Sequence, residues 1–192
     1  MKRIISILAA LLCAVASLAQ TPQEIISGME EAMKVFEKDG EIGALSMTLD
    51  IKIPILGTMS SRSYILGDKL RVDAEVMGEK TITYTDGETS WTYTPSESKV
   101  VIENFDGTKK SNNQADVALF SGITDGYDVT IKRETSDTWQ LLCKKSRTNT
   151  KKDDPKTMNL EVYKKDFPPK SLSASISGVT VTMRDFSPDV TE

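Results

Sequence analysis

From Gly43 onward the chain repeats one pattern: apolar and polar residues alternate, segment after segment, up to Phe186. In "LSMTLDIKI", Leu45, Met47, Leu49, Ile51 and Ile53 alternate with Ser46, Thr48, Asp50 and Lys52. Successive side chains of a strand point to opposite faces, so this period predicts a strand with one dry face and one wet one. The period returns in "TMSSRSYIL", "KLRVDAEV", "KTITYT", "TSWTYT", "KVVIENF", "YDVTIKRE", "TWQLLCKK", "MNLEVYKK", "KSLSASIS" and "GVTVTMRDF", for about eleven strands. Short links carrying Gly67-Asp68, Gly78, Asp86-Gly87, Pro95-Ser96, Ser136-Asp137, Pro168-Pro169 and Gly178 favour antiparallel neighbours in an up-and-down meander. A meander that long, dry on one side only, curls toward a barrel with room inside. The fold class expected is mainly β with α.

What precedes the strands is different. "MKRIISILAALLCAVASLAQ" carries Lys2 and Arg3, an apolar run from Ile4 to Val15, and small residues at Ser17 and Ala19. This is the pattern of a secretory signal cleaved after Ala19, with an apolar run too short for a membrane span. Leu12 is too bulky for a lipobox ahead of Cys13. Cleavage leaves residues 20–192 as a single domain, long enough to bury a core of its own. Loss of Lys2 and Arg3 takes the formal charge from −4 to −6 and leaves Cys143 as the only thiol. "TPQEIISGMEEAMKVFEKDG" follows, with Thr21 and Glu24 spaced as a capping box and Pro22 at a first helical position. Ile25, Ile26, Met29, Met33 and Phe36 fall on one face of that helix and Asp39-Gly40 ends it, so the helix must lie on something apolar. A second, short helix is expected around Asp116–Phe120 in the excursion from Asp106 to Gly126.

Taking the apolar residue of each alternating pair as inward, the interior is lined by Leu45, Met47, Leu49, Met59, Leu70, Val72, Ile82, Tyr84, Trp91, Tyr93, Ile102 and Met183, with Met29 and Met33 from the helix. Trp91 and Tyr93 point in with Ile82 and Tyr84, and Thr92 and Thr94 face water. Val100, Val129, Ile131, Trp139, Leu141, Leu160, Val162, Leu172, Ile176 and Val181 continue the stripe. No charge falls among these positions, so a ligand of the hollow is apolar or has an apolar end. The methionines supply side chains that adapt to flexible apolar groups, or simply fill gaps in a core.

The chemistry of catalysis is sparse. The chain has no histidine, which removes the commonest general base and metal ligand. Cys143 has Lys144 and Lys145 beside it but no base, and is expected to be a buried thiol. Asp50, Asp73, Glu75 and Glu161 fall at outward positions, and no phosphate loop or calcium loop is present. No enzymatic activity, cofactor or metal is expected. An acidic chain also lacks the concentrated basic surface that nucleic acid requires. Its one basic cluster, Lys144 to Lys152, is a solvated strand end and loop, or a patch that docks on a membrane or an acidic partner.

Three segments resemble the periplasmic outer-membrane lipoprotein carriers, the LolA-like family: "GDKLRVDAE", "YTDGETSWTYTPSESKVVI" and "DVALFSG". The middle one resembles that family's Asp-Gly hairpin with its Trp-x-Tyr-x-Pro run. The resemblance spans nearly the whole chain after Ala19 and implies an unclosed antiparallel barrel with the N-terminal helix and the short second helix as a lid. It adds Phe120 to the acyl-chain cavity and implies for Arg71 the role of a latch holding the lid, whereas alternation with Leu70 and Val72 turns Arg71 outward. The implied function is a soluble, monomeric periplasmic chaperone that carries acylated lipoproteins from an inner-membrane ABC transporter to an outer-membrane acceptor. The alternative is a regulatory module of the same fold that senses lipid or lipoprotein.

Overall fold

The structure, a computed structural model, describes residues 20–39, 41–76, 78–104, 122–152 and 154–190, without the side chains of Glu41 and Val76. The signal segment 1–19, the short helix expected at Asp116–Phe120 and Phe120 itself lie outside the described residues. The first element is the helix α1, Pro22–Met33, and its start is determined locally. Thr21 Oγ1 accepts from the Glu24 backbone at 3.3 Å, and the Glu24 carboxylate accepts from the Thr21 backbone at 2.7 Å. The capping box thus satisfies two of the donors that a helix start leaves open. A 3₁₀ turn, Lys34–Phe36, extends the helix. A small antiparallel pair follows, β1 (Glu37–Lys38) with β2 (Glu41–Ile42).

The period-two segments then form β3 (Ala44–Ile53), β4 (Gly57–Leu66), β5 (Lys69–Val76), β6 (Glu79–Thr85), β7 (Thr89–Thr94), β8 (Lys99–Asn104), β9 (Tyr127–Glu134), β10 (Thr138–Lys145), β11 (Thr157–Tyr163), β12 (Pro169–Ile176) and β13 (Val179–Ser187). These eleven make a single antiparallel sheet in the order β8-β7-β6-β5-β4-β3-β13-β12-β11-β10-β9. The chain therefore builds the sheet outward from β3 in one direction, returns at β9, and closes the gap by pairing its last strand with its first. Strands β8 and β9 remain as the two ends, so the barrel is not closed.

The face that α1 covers carries the core. Ile25 and Met29 are wholly buried, and with Ile26, Met33 and Phe36 they pack on Leu45, Met47, Ile65, Leu141, Cys143, Met158, Leu160, Val162 and Leu172. Each such side chain removed from water contributes about 1.5–3 kcal/mol, far more than the cap. One irregularity serves this core. Asp185 stands at φ +57 where the β13–β3 register shifts, so Phe186 joins the inward stripe three residues after Met183. On the opposite face, Asp50 of β3 accepts from Ser60 of β4 at 2.6 Å and from Arg184 of β13 at 2.7 Å. The Arg184 hydrogen bond holds the Asp50 carboxyl below its ordinary value, against the opposing effect of burial.

At Gly28 the helix meets the loop between β11 and β12 closely. A Cβ there would lie 2.7 Å from the Phe167 ring, which is itself stacked on Trp139 at 5.4 Å. A glycine inside a helix ordinarily costs about 1 kcal/mol relative to alanine, so its presence here reflects this approach. Gly28→Val should destabilise the protein by about 2 kcal/mol through overpacking. Ser27→Ala, on the exposed face one residue earlier, should be neutral or slightly stabilising. Thermal and urea unfolding followed by circular dichroism measures both.

Candidate functional site

Residues paired directly across antiparallel strands point to the same face, so the register identifies every inward position. One row runs Leu172–Met183–Leu49–Ser61–Ala74–Thr81 across β12, β13, β3, β4, β5 and β6. The neighbouring row on the side toward α1 runs Met47–Ser63–Val72–Thr83–Thr92–Val101. On the other side lie Ala174, Val181, Ile51 and Met59.

Burial along these rows is uneven. In β3, Leu45 and Met47 are buried, whereas Leu49, Ile51 and Ile53 are half-buried. Met59, Val72, Ala74 and Val181 are likewise half-buried, at or beyond the edge of the packed core. The helix thus covers one end of the inward face and leaves a trough whose floor is Leu49, Ile51, Met59, Val72, Ala74 and Val181. The far wall is not apolar. Thr81, Thr83 and Thr92 occupy it, with the Thr83 and Thr92 hydroxyls 3.3 Å apart, and Thr85 is buried at its base.

The sequence-predicted residues therefore separate into four groups. Met29, Met33, Leu45 and Met47 are packed in the helix–sheet core. Leu70 and Met183 lie at its margin, and Leu49, Met59 and Val72 line the trough. Ile82, Tyr84, Trp91, Tyr93 and Ile102, with Val100, are on the other side of the sheet, which corrects the expectation that they point inward. The reason is the loop between β5 and β6. Val76 pairs with Glu79 across a two-residue link, which sets Leu70 opposite Thr85 and Arg71 opposite Tyr84. Once Leu70 is inward, every apolar residue of β6 and β7 at even and odd positions respectively must be outward. The expectation of an entirely apolar, uncharged lining fails with it, since Lys99 and Glu103 of β8 share the inward side with Val101.

Arg71 lies outward, as its alternation with Leu70 and Val72 predicts, on the face opposite α1, so it does not latch that helix; it makes two bonds to the Asp73 carboxylate at 2.7 and 2.9 Å and stands 5.8 Å from the Tyr64 ring centre. Arg62 stands over the same ring at 5.8 Å and donates to Ser46 and Thr48. Tyr84 and Trp91 continue this outer layer with ring centres 5.6 Å apart. The threonine wall and Ala74 are the inward positions that reading by apolar content passed over. Counting the residues between β5 and β6 would have found the wall.

Cys143 is inward and buried between β9 and β11, and burial pushes its thiol up to about 11. Among the described residues no three His, Cys, Asp or Glu side chains are placed to hold a metal ion, and no helix is long and apolar enough to cross a membrane. An open groove on the outward face, lined by Lys132, Gln140, Asn159, Glu161 and Ser171 among others and of about 360 Å³, is polar. The trough, by contrast, presents part-exposed apolar side chains on its floor and threonine hydroxyls on its far wall. At pH 8 roughly one Cys143 in a thousand would be thiolate at such a pKa. The folded protein should therefore resist iodoacetamide at pH 8 for hours and react fully once unfolded in urea, as read by intact mass.

No protein-family model matches the sequence, and no curated protein sequence does. Solved structures do resemble it. The lipoprotein LppX of Mycobacterium tuberculosis superposes with a TM-score of 0.53 at 9% identity, covering 90% of this chain and 99% of that one. An uncharacterized conserved protein from Thermus thermophilus has a TM-score of 0.45 at 17% identity, covering 90% of each chain. A LolA superfamily protein from Nitrosomonas europaea has a TM-score of 0.34 at 14% identity, covering 91% of this chain and 96% of that one. What the LppX superposition shows at such identity is the fold: an unclosed antiparallel barrel with an N-terminal helix.

Proposed function

We propose that residues 20–192, freed from a signal peptide cleaved after Ala19, form a soluble periplasmic carrier that binds the acyl chains of lipoproteins and conveys them from the inner to the outer membrane. The observation that carries this reading is the half-covered trough, in which Leu49, Ile51, Met59, Val72 and Val181 remain part exposed while the same face beneath α1 is dry. An acyl chain laid there would gain about 0.8 kcal/mol for each CH₂ buried. The hydroxyls of Thr81, Thr83 and Thr92 would face the ester and glycerol end of the lipid. Outward movement of α1 would add Met29, Met33, Leu45 and Met47 to the apolar surface, and its return would shield the cargo.

Contact with membranes has its own support. The β3–β4 hairpin, at one end of the trough, presents Ile55 fully exposed, with Leu56 beside it and Lys52 and Thr58 flanking. The register brings the β12–β13 turn to the same end, and the β10–β11 loop with Lys151 and Lys152 precedes the β11 residue that pairs with Ala174 near it. Apolar tips with cations beside them suit an anionic lipid surface. Release would follow transfer to an outer-membrane acceptor that binds the same chains more tightly, and loading would come from an inner-membrane ABC transporter.

The test is binding of a fluorescent acyl probe, with mass spectrometry of acylated species that co-purify. Leu49→Glu and Val72→Glu should weaken probe binding at least tenfold while melting within a few degrees of the parent protein. Ile82→Glu, on the outward face, should bind as the parent does. Equal loss in all three, or no acylated species in repeated preparations together with no probe binding, would overturn the reading.

A further inference from the structure

Among the described residues, the outward face of β6–β8 and the edge at β8 have no part in the trough. Every residue of β8 is exposed, with Val100 at 53% and Ile102 at 64%, and beside them Tyr93 and Tyr84 at 40% and 37%. An apolar edge strand of this kind is an invitation to pair with another strand. The other end of the sheet is more heavily charged: β9 sets Asp128, Lys132, Arg133 and Glu134 in solvent, whereas β8 carries only Lys99 and Glu103 about an apolar centre.

The hydrogen-bonding side of β8 follows from alternation. The Asp86 amide donates to Thr89 O at 3.3 Å across the β6–β7 turn, which makes Asp86 and Thr89 a bonded pair. Bonded pairs then recur at Tyr84–Trp91 and Ile82–Tyr93. The backbone groups of Ser90 and Thr92 are left to face Glu103 and Val101 of β8. Those of Val100, Ile102 and Asn104 consequently point away from the sheet, at its edge.

We propose that the partner of this edge is a second copy of the same strand, in an antiparallel two-fold dimer centred on Val101. In that register Val100 pairs with Ile102 of the second copy through the outward-directed backbone groups, Val101 meets its own equivalent, and Lys99 meets Glu103. The pairing is isologous, so both Lys99–Glu103 contacts form at once on the inward side and both Val100–Ile102 contacts on the outward side. Shifting the strands by the next permitted step in one direction sets Glu103 against Val101, and in the other takes Lys99 to Val101. Only the register centred on Val101 matches charge with charge and apolar with apolar. The Val100 and Ile102 side chains then extend the Trp91 and Tyr93 surface across the two-fold axis. Six edge residues bury less than the ~1,600 Å² of a standard interface, so the dimer is a weak one.

The experiment is sedimentation equilibrium of the full protein after signal removal, between about 1 and 300 μM, for the parent, Lys99→Glu, Glu103→Lys and the double reversal K99E/E103K. Circular dichroism and melting temperature confirm that each variant folds. The expected result is a concentration-dependent dimer for the parent, at least tenfold weaker association for each single variant, and association restored in the double. A parent that stays monomeric throughout, a double variant no better than the singles, or a monomer that instead sediments with phosphatidylglycerol vesicles through this edge would overturn the proposal. The readout is independent of cargo, so its failure and the failure of the carrier reading are distinguishable.

Discussion

Among the described residues, one α-helix of three turns lies on the inward face of a sheet eleven strands wide, and it does not reach across all of it. α1 presents four buried residues besides the adjoining Phe36, and they share one core with β9–β12, the first half of β3 and Ile65 of β4. The sheet cannot shrink to fit, because β13 pairs with β3 and β3 with β4 over most of their lengths. Among the described residues, the part-exposed apolar face therefore follows from the number of strands and the length of α1. Met29, Leu160 and Val162 lie in the region where coverage succeeds, and Leu49, Ile51 and Val72 where it does not.

That mismatch explains why the two halves of the sheet were not equally legible from the amino acids. In β9–β13 and β3 the inward residues are mostly apolar, both beneath α1 and in the trough, and alternation locates most of them directly. In β6 and β7 the apolar residues are outward, and composition misleads. Tyr84 and Trp91 are aromatic because they extend a layer begun by Arg62, Tyr64 and Arg71, where rings and guanidinium groups stack in contact with water. Threonine serves the inward side because a β-branched residue holds a strand without requiring a dry environment. The information that decides between the faces is the link of two residues after Val76, which is geometric.

Irregular positions were hidden for a related reason. Phe186 follows Met183 at a spacing that alternation cannot produce, and it becomes inward only through the bulge at Asp185. Phe167 sits at φ +59, in a region uncommon for an aromatic residue, and from there its ring reaches Gly28 and Trp139. Neither placement follows from period or propensity. Both are imposed by where the helix must rest, so tertiary contact decides them. Cys143, by contrast, was recoverable, since its parity with Leu141 and Trp139 already puts it in the core.

If the protein is the carrier proposed above, partial coverage also bears on how tightly cargo is held. A lipid chain of about sixteen carbons, wholly buried, would gain on the order of 12 kcal/mol, an affinity that makes unaided release slow. A trough that leaves one side of the chain near water, and that meets threonine hydroxyls along its far wall, captures only a part of this. Closure of a helix can then raise the affinity, and its opening lower it, by the area of one helical face. On the carrier reading proposed above, the useful quantity is this difference between closed and open, and a face dried completely at all times would have none to offer.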